Sequence, residues 1–156
     1  MSSDNAQVIR RLELSDLPYL DEHLLDINKT EIKVMRGQTV KELFETNPDM
    51  LEVSQVLDIG GEIVCVGGGR ETDTGFVIWL FGTDKIADFK KQFTIVTSRR
   101  VEEWKKNHDV IYSYVYSKNE LTKKWLVSLG FTIMEPEAIG VNGEEFHYFE
   151  WRKTCA

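Results

Sequence analysis

The first part of the chain shows apolar residues at helical spacing. A short extended run, Val8–Leu12, comes first, and Ser15 or Asp16 then stands as an N-cap before Pro18, a residue tolerated in a first helical turn. The apolar residues of the following stretch are Leu17, Leu20, Leu24, Leu25 and Ile27. A second stretch with this spacing spans Thr39–Glu45. The pattern predicts a strand followed by two helices, the second ending at the Asn-Pro pair that follows it.

Extended apolar runs occupy the middle of the chain. Glu52–Ile59 and Glu62–Gly68 flank Gly60-Gly61, which predicts a hairpin whose turn takes positive φ. Gly75–Gly82 is apolar on both faces, so we expect this strand at the centre of a sheet. The three consecutive glycines Gly67–Gly69 close the second run and predict a bulge or close packing.

The last part of the chain predicts two helices and three strands. Apolar residues at helical spacing run through Lys85–Lys106, where the β-branched run Thr94–Thr97 is expected to break or bend the helix. The remaining elements are a tyrosine-rich strand, a helix and two strands, at Val110–Tyr116, Glu120–Leu129, Phe131–Met134 and Glu144–Arg152. We expect a single α/β (α+β) domain over residues 1–156, with a mixed central sheet of about six to seven strands flanked by about four helices. Residues 1–7 and 153–156 are expected to be flexible.

Composition narrows the class of function. A net charge of −7 makes binding to nucleic acid or to anionic membranes unfavourable, and 42% hydrophobic residues suffice for a core without metal or disulfides. The basic residues of Lys85–Lys106 alternate with acidic ones, as on a solvated helix face. No apolar stretch resembles a signal peptide or approaches the length of a membrane span, so we expect a soluble protein of a reducing cytoplasm.

The cysteine and histidine residues give little evidence of chemistry. Cys65 lies in an apolar strand and is expected to be a reduced core residue, and Cys155 lies beside the terminus; a bridge between them stays open. The three histidines are far apart and lack metal-ligand spacing, so no metal site is predicted. No nucleophile-elbow pattern occurs.

One spacing near the C-terminus is specific to a family. Asn119 follows the tyrosine-rich strand, and Gly130-Phe131 comes eleven residues later. This arrangement resembles the closing signature of the GNAT superfamily of acyl-CoA-dependent N-acyltransferases. The opening run Val8–Leu17 also resembles the family's first strand and cap, and the predicted order of elements is that of its fold. The resemblance implies that the fourth and fifth strands splay apart to hold a pantetheine arm, with the pyrophosphate at the loop after the fourth strand.

The residues at the implied cofactor site depart from the family pattern. The loop after the fourth strand has one glycine, Gly82, and two aspartates, Asp84 and Asp88, whose carboxylates would repel a pyrophosphate. If acyl-CoA binds, the resemblance assigns its contacts to Leu80, Phe81, Gly82, Thr83, Asn119 and Trp125. The position of the family's tyrosine acid is Leu126, which has no proton to donate.

Two kinds of residue keep alternative interpretations. Tyr114 and Tyr116 share a strand face with Tyr112 and are candidates for a catalytic hydroxyl, but alternating tyrosines are more often core or interface residues. Asn119 either binds the cofactor arm or caps the helix that begins at Glu120, and the capping role requires nothing else of the site.

A narrower resemblance agrees with these departures from the family's cofactor and acid positions. A short GNAT-like chain with Tyr114–Tyr116 before Asn119 and a final strand at Phe146–Trp151 resembles the small podophage proteins called internal virion protein A. It implies a catalytically degenerate protein, made in the cytoplasm of an infected bacterium and possibly carried in the virion, that binds a phage or host protein during morphogenesis or host interaction. Two alternatives stay open: a divergent acetyl-CoA-dependent N-acetyltransferase acting on a small-molecule or protein amine, and a homodimer paired through edge strands.

Overall fold

The computed structural model describes residues 6–154, which form one mixed seven-stranded sheet with six α-helices. The strands are β1 Gln7–Arg11, β2 Gln55–Ile59, β3 Glu62–Thr72, β4 Gly75–Gly82, β5 Val110–Tyr116, β6 Thr132–Ala138 and β7 Glu145–Arg152. The helices are α1 Leu17–His23, α2 Asp26–Arg36, α3 Val40–Thr46, α4 Pro48–Val53, α5 Lys90–Asn107 and α6 Glu120–Ser128, with 3-10 turns at Leu14–Asp16 and Asp84–Asp88. The sheet order is β1-β2-β3-β4-β5-β7-β6, in which β4 and β5 are parallel and the other neighbours antiparallel.

The helices pack against both faces of the sheet. Trp79 and Phe81 of β4 pack with the residues of α1 to α4, whereas Ile78 and Leu80 pack with those of α5 and α6. Because successive strand residues point to opposite faces, the two helix groups lie on opposite sides of β4. The predicted fold class and the central position of Gly75–Gly82 are confirmed.

The region predicted as one helix through Ile27 is two helices. The backbone at Leu24 and Leu25 is extended, with ψ near 143° and 142°, and this separates α1 from α2. Leu24 forms a β-bridge with Thr83, and the Leu25 N–H donates to the Gly82 carbonyl at 2.9 Å. Pairing with the end of β4 therefore interrupts a helical pattern that the sequence alone would continue.

The prediction of about four helices was also too low because of α4. The predicted second helix begins beside Thr39, whose side chain caps α3 through a capping box with Glu42. Pro48 then stands in the first turn of a new helix, so the expected strand at Glu52–Ile59 begins only at Gln55. A proline after an Asn that ends one helix can begin the next, and here it does.

Two further expectations about local breaks were wrong. The strand expected to end at Gly68 continues to Thr72, and Gly67 to Gly69 pair in regular register with β4 instead of forming a bulge. The alternative, close packing, is confirmed, since a Cβ on Gly68 would lie 2.9 Å from the Trp79 ring. The helix α5 is continuous through Thr94–Thr97, where the Thr97 hydroxyl donates to the Phe93 carbonyl at 2.8 Å.

The other predicted elements agree with the structure within a few residues. Gly60 and Gly61 form the β2–β3 turn with φ of 61° and 87°, and β5 has the predicted bounds. β6 runs on to Ala138 after an irregularity between Ile133 and Pro136. Cys65 is buried as expected, whereas Cys155 lies outside the described residues. Within the described chain, none of the helices combines the length and apolar character that crossing a membrane requires.

Candidate functional site

The two parallel strands at the centre of the sheet separate soon after they begin. β4 and β5 are paired at Phe76 with Ile111 and at Val77 with Tyr112, near their first residues. Their carboxyl-terminal halves have other neighbours on one side only, β3 for β4 and β7 for β5. A wedge-shaped gap therefore opens between them toward Gly82 and Tyr116.

Backbone polar groups face this gap from both strands. The Thr83 N–H donates to the β3 carbonyl of Val64, so by the alternation of strand residues the N–H and C=O of Leu80 point away from β3, into the gap. On the other side, the Ser117 N–H donates to the Glu145 carbonyl of β7, so by the same alternation the backbone groups of Tyr114 point into the gap. An extended chain in the gap would find donors and acceptors along both walls.

A cavity of about 830 Å³ occupies the gap and continues onto both faces of the sheet. Glu31 and Met35 of α2 line it from one face, and Arg100 and Trp125 line it from the face of α5 and α6. Tyr114 contributes to the wall between them. The gap is therefore a passage between two faces and not a closed core void.

Two side chains of α2 close the wide end of the gap. Asn28 Oδ1 accepts the Gly82 N–H at 2.9 Å, and Glu31 Oε2 accepts the Tyr116 N–H at 2.8 Å. Asn28 is only 5% exposed. The last N–H that each splayed strand turns toward the gap is therefore already bonded, to Asn28 from β4 and to Glu31 from β5. Neither residue was singled out from the sequence.

Glu31 is surrounded by uncharged hydrogen-bond donors. Besides the Tyr116 N–H, its oxygens lie 3.5 Å from Nδ2 of Asn119, which is 1% exposed. Burial raises the pKa of the Glu31 carboxyl above its ordinary value, and the hydrogen bonds offset only part of that effect. Asn119 Oδ1 also accepts the Thr122 N–H at 3.2 Å, so its predicted role as the cap of α6 is confirmed.

Trp125 presents an indole N–H without a partner. Its Nε1 atom is buried, makes no hydrogen bond within the described protein, and belongs to a residue that lines the cavity. A buried donor of this kind normally has an acceptor, and here the ring of Trp125 lines the cavity while Nε1 itself has almost no accessible surface. The neighbouring Leu126 is 1% exposed and packs in the apolar core with Val101, where a tyrosine hydroxyl would have no polar surroundings.

The loop after β4 uses most of its own polar groups. Thr83 is fully buried; its hydroxyl donates to the Ile63 carbonyl at 2.7 Å and accepts the Lys85 N–H at 3.1 Å. The Ile86 N–H bonds to the Thr83 carbonyl, and the Ile86 side chain fills the space above Gly82. Because these two N–H groups are already bonded, Lys85 and Ile86 offer no free amides to an anion in the described loop.

The charges around the loop are mixed. Asp84 and Asp88 are exposed, and Asp84 lies 3.2 Å from Nδ1 of His23. Lys90 and Lys91 are also exposed, in the first turn of α5, whose amide end carries a partial positive charge. The two lysines give this end of the helix a positive charge that the sequence analysis did not assign to it.

The tyrosines of β5 have different surroundings. Tyr114 is 39% exposed and packs edge-on against Tyr148 at 5.5 Å, whereas Tyr116 is buried against Phe146. Tyr148 donates to Glu150 at 2.9 Å; burial and this carboxylate raise the pKa of Tyr148 to about 12. Of the two candidate hydroxyls, Tyr114 is the one on a residue that lines the cavity.

Sequence reasoning missed Asn28 and Glu31 because it ended the first helix at Ile27. A signal was present, since Asn28, Glu31 and the buried Ile32 stand at positions i, i+3 and i+4, which share one face of a helix. Gly37 also follows this stretch at the position where a helix often ends, and it takes φ of 69°.

Solved structures resemble the chain over nearly its whole length. yncA from Salmonella typhimurium, whose structure contains its cofactor acetyl-CoA, matches with a TM-score of 0.65 and 17% identity, covering 97% of this chain and 98% of that one. Ard1 from Thermoplasma volcanium matches with 0.69 and 12% identity, covering 96% and 99%. The ribosomal-protein-S18-alanine N-acetyltransferase from Escherichia coli matches with 0.63 and 15%, covering 97% and 96%.

The sequence comparisons found no relative that corresponds to these structural matches. No family model matches the chain, and no curated protein matches it in sequence. At such identities the structural likeness shows the fold and leaves the activity open. The seven-stranded sheet, its splayed central strands and the structural matches together show that the chain has the fold of the GNAT acetyltransferases.

Proposed function

We propose that the chain is a divergent acetyl-CoA-dependent N-acetyltransferase that acts on a small-molecule or protein amine. The observation that carries this proposal is the cavity in the β4–β5 gap, between the gap-facing backbone groups of Leu80 and Tyr114 and with Trp125 in its lining. The solved structures of the same fold include N-acetyltransferases and one that contains acetyl-CoA.

The gap suits an extended arm with amide groups. Pantetheine has two amides, and the backbone groups of Leu80 and Tyr114 that face the gap can pair with them as a strand pairs with an added peptide. Trp125 Nε1 is unpaired but almost inaccessible, so it would supply one more donor from the α6 side only after the ring shifts toward the gap. These contacts include three of the residues that the sequence assigned to a cofactor or to catalysis: Leu80, Tyr114 and Trp125.

The polyanionic end of the cofactor has a weaker site. Lys90 and Lys91 offer positive charge at the first turn of α5, but Asp84 and Asp88 precede them. The positive and negative groups are exposed, so their effects are screened by salt. We therefore expect acetyl-CoA to bind with modest affinity that decreases as the ionic strength rises.

Titration calorimetry with acetyl-CoA and with free CoA at low salt tests the proposal. Wild type should bind both, and Trp125→Phe, which keeps an aromatic ring and loses the N–H, should bind about 3-fold to 10-fold more weakly. Trp151→Phe is the matched control, because Trp151 packs in the core beside Lys105 and does not line the cavity. Absence of binding by wild type at millimolar ligand would overturn the proposal.

A second candidate is the catalytically degenerate phage protein that the C-terminal pattern suggested. The observation that favours it is the loop after β4, where the Gly82 and Lys85 amides are bonded within the protein and two carboxylates are exposed. In this case a phage or host protein partner, or a second copy of the chain, would replace acyl-CoA. The virion role stays a prediction; capsid and tail genes beside the coding gene, together with a negative titration, would favour it.

A further inference from the structure

Glu31 places a carboxyl group in the gap from the face of the sheet opposite Trp125. It extends from α2, which packs with Trp79 and Phe81 on one face, whereas Trp125 belongs to α6 on the other. Both residues line the same cavity. An acyl thioester held beside Trp125 and an amine arriving along α2 would therefore meet in the gap near this carboxyl.

The contacts of Glu31 leave its carboxylate able to accept a further hydrogen bond. A carboxylate offers about four acceptor positions. The Tyr116 N–H uses one at 2.8 Å, and the Asn119 amide lies at the longer distance of 3.5 Å from both oxygens. These donors fix the orientation of the group without neutralising its charge.

We propose that Glu31 takes the proton that the acceptor amine must lose before it attacks an acyl thioester in the gap, a role that rests on the proposed function. The bound ammonium gives one proton to the Glu31 carboxylate, and the free amine nitrogen attacks the thioester carbon. The carbon–sulfur bond then breaks, and the second proton of that nitrogen passes to the departing thiolate. Glu31 returns its proton to water, so the products are an amide, free CoA thiol and one proton.

The environment of Glu31 suits this role. Burial raises its pKa, which brings the group closer in basicity to an amine and makes proton transfer from an ammonium less unfavourable. The protein contacts that surround it are the Tyr116 backbone, Asn28 and Asn119, all uncharged. Asn119 acts as a positioning residue, since it holds both the carboxyl group and the first turn of α6.

The test compares wild type with Glu31→Gln, which keeps an acceptor for the Tyr116 N–H and removes the base. Methylamine at high concentration serves as the acceptor probe, and release of CoA thiol from acetyl-CoA measures transfer. Glu45→Gln is the control, because Glu45 is an exposed residue of α3. We expect Glu31→Gln to bind acetyl-CoA as wild type does and to lose about 100-fold in the amine-dependent rate. In Glu31→Gln the rate should instead follow the fraction of free methylamine in solution, so the defect relative to wild type should shrink as the pH rises toward the pKa of the amine.

Each other outcome identifies what failed. Equal amine-dependent rates in wild type and Glu31→Gln would overturn the role of Glu31 and leave the proposed function standing. Binding of acetyl-CoA by wild type without any amine-dependent release would overturn this role as well, while the cofactor site would stand. Failure of wild type to bind acetyl-CoA would overturn both. Thermal unfolding of each variant confirms that the compared proteins are folded.

Discussion

Asn28 and Glu31 lie three residues apart on α2, and each accepts the last gap-facing N–H of one splayed strand. Asn28 bonds Gly82 of β4 at 2.9 Å, and Glu31 bonds Tyr116 of β5 at 2.8 Å. One face of a single helix thus connects the two strands where they no longer pair with each other. The hydrogen bonds at the wide end of the gap therefore come from the same short segment of helix.

Asn28→Ala should destabilise the fold by about 1–3 kcal/mol, because it leaves the Gly82 N–H buried without an acceptor. Thr30→Ala is the control, since Thr30 is an exposed residue of the same helix. Chemical denaturation of the two variants and wild type measures the difference. Equal midpoints for Asn28→Ala and wild type would show that water replaces the lost acceptor.

Glu31 should make stability depend on pH in a defined direction. Because the pKa of Glu31 is raised in the folded state, its contribution is fully present below the unfolded pKa and is lost as pH rises through the folded pKa. Glu31→Gln removes this dependence, so its stability relative to wild type should increase between about pH 4 and about pH 8. Denaturant unfolding at both pH values checks the sign; a constant difference would contradict a raised pKa.

Gly82 and Ile86 should be coupled. Gly82→Ala should destabilise the protein by about 1–3 kcal/mol because the new methyl group would overlap Cδ1 of Ile86. Ile86→Val removes that atom, so the double variant should recover part of the loss. A double-mutant cycle by denaturation measures the coupling, and strictly additive effects would rule out this contact. Changing Gly82 to aspartate would disturb packing too, so it is a poor probe of cofactor binding alone.

Removal of a carboxylate near the first turn of α5 should strengthen acetyl-CoA binding. We expect Asp88→Asn to raise the affinity about 2-fold to 5-fold at low salt, an effect that high salt should reduce. Asp73→Asn is the matched control, an exposed aspartate in the turn between β3 and β4. Calorimetry with all three proteins gives the comparison. Equal gains in the two variants would indicate a general effect of net charge.

The Cys65 thiol should be unreactive in the folded protein. It is 5% exposed, and burial raises its pKa to about 12, so little thiolate is available. In Cys155→Ser, Cys65 is the remaining cysteine of the two. A colorimetric thiol reagent should then react at the rate of unfolding, and rapidly in denaturant. Fast reaction without denaturant would show that β3 opens readily.

Local sequence patterns predicted the structure correctly where neighbouring residues alone decide the conformation. The double glycine of the β2–β3 turn, the two-sided apolar run of β4 and the cap at Asn119 could all be identified from neighbours a few residues away. Such features depend on backbone freedom, periodicity and short-range hydrogen bonds, which the order of residues contains. The element order built from them predicted the fold.

The failure to separate α1 from α2 arose where distant segments meet. Leu24 and Leu25 leave the helical conformation because they pair with Gly82 and Thr83, almost sixty residues further along the chain. Propensity gives no information about such long-range pairing, so the two-helix arrangement of α1 and α2 could not be predicted locally.

By itself, the sequence determined the strands, most of the helices, the central place of β4 and the capping role of Asn119, because these follow from periodicity and local hydrogen bonding. Only the tertiary structure decided that α2 extends Asn28 and Glu31 into the β4–β5 gap, and that Trp125 lines the same cavity with its indole unpaired. The gap exists because two parallel strands separate after two residue pairs, and no stretch of sequence specifies that separation alone.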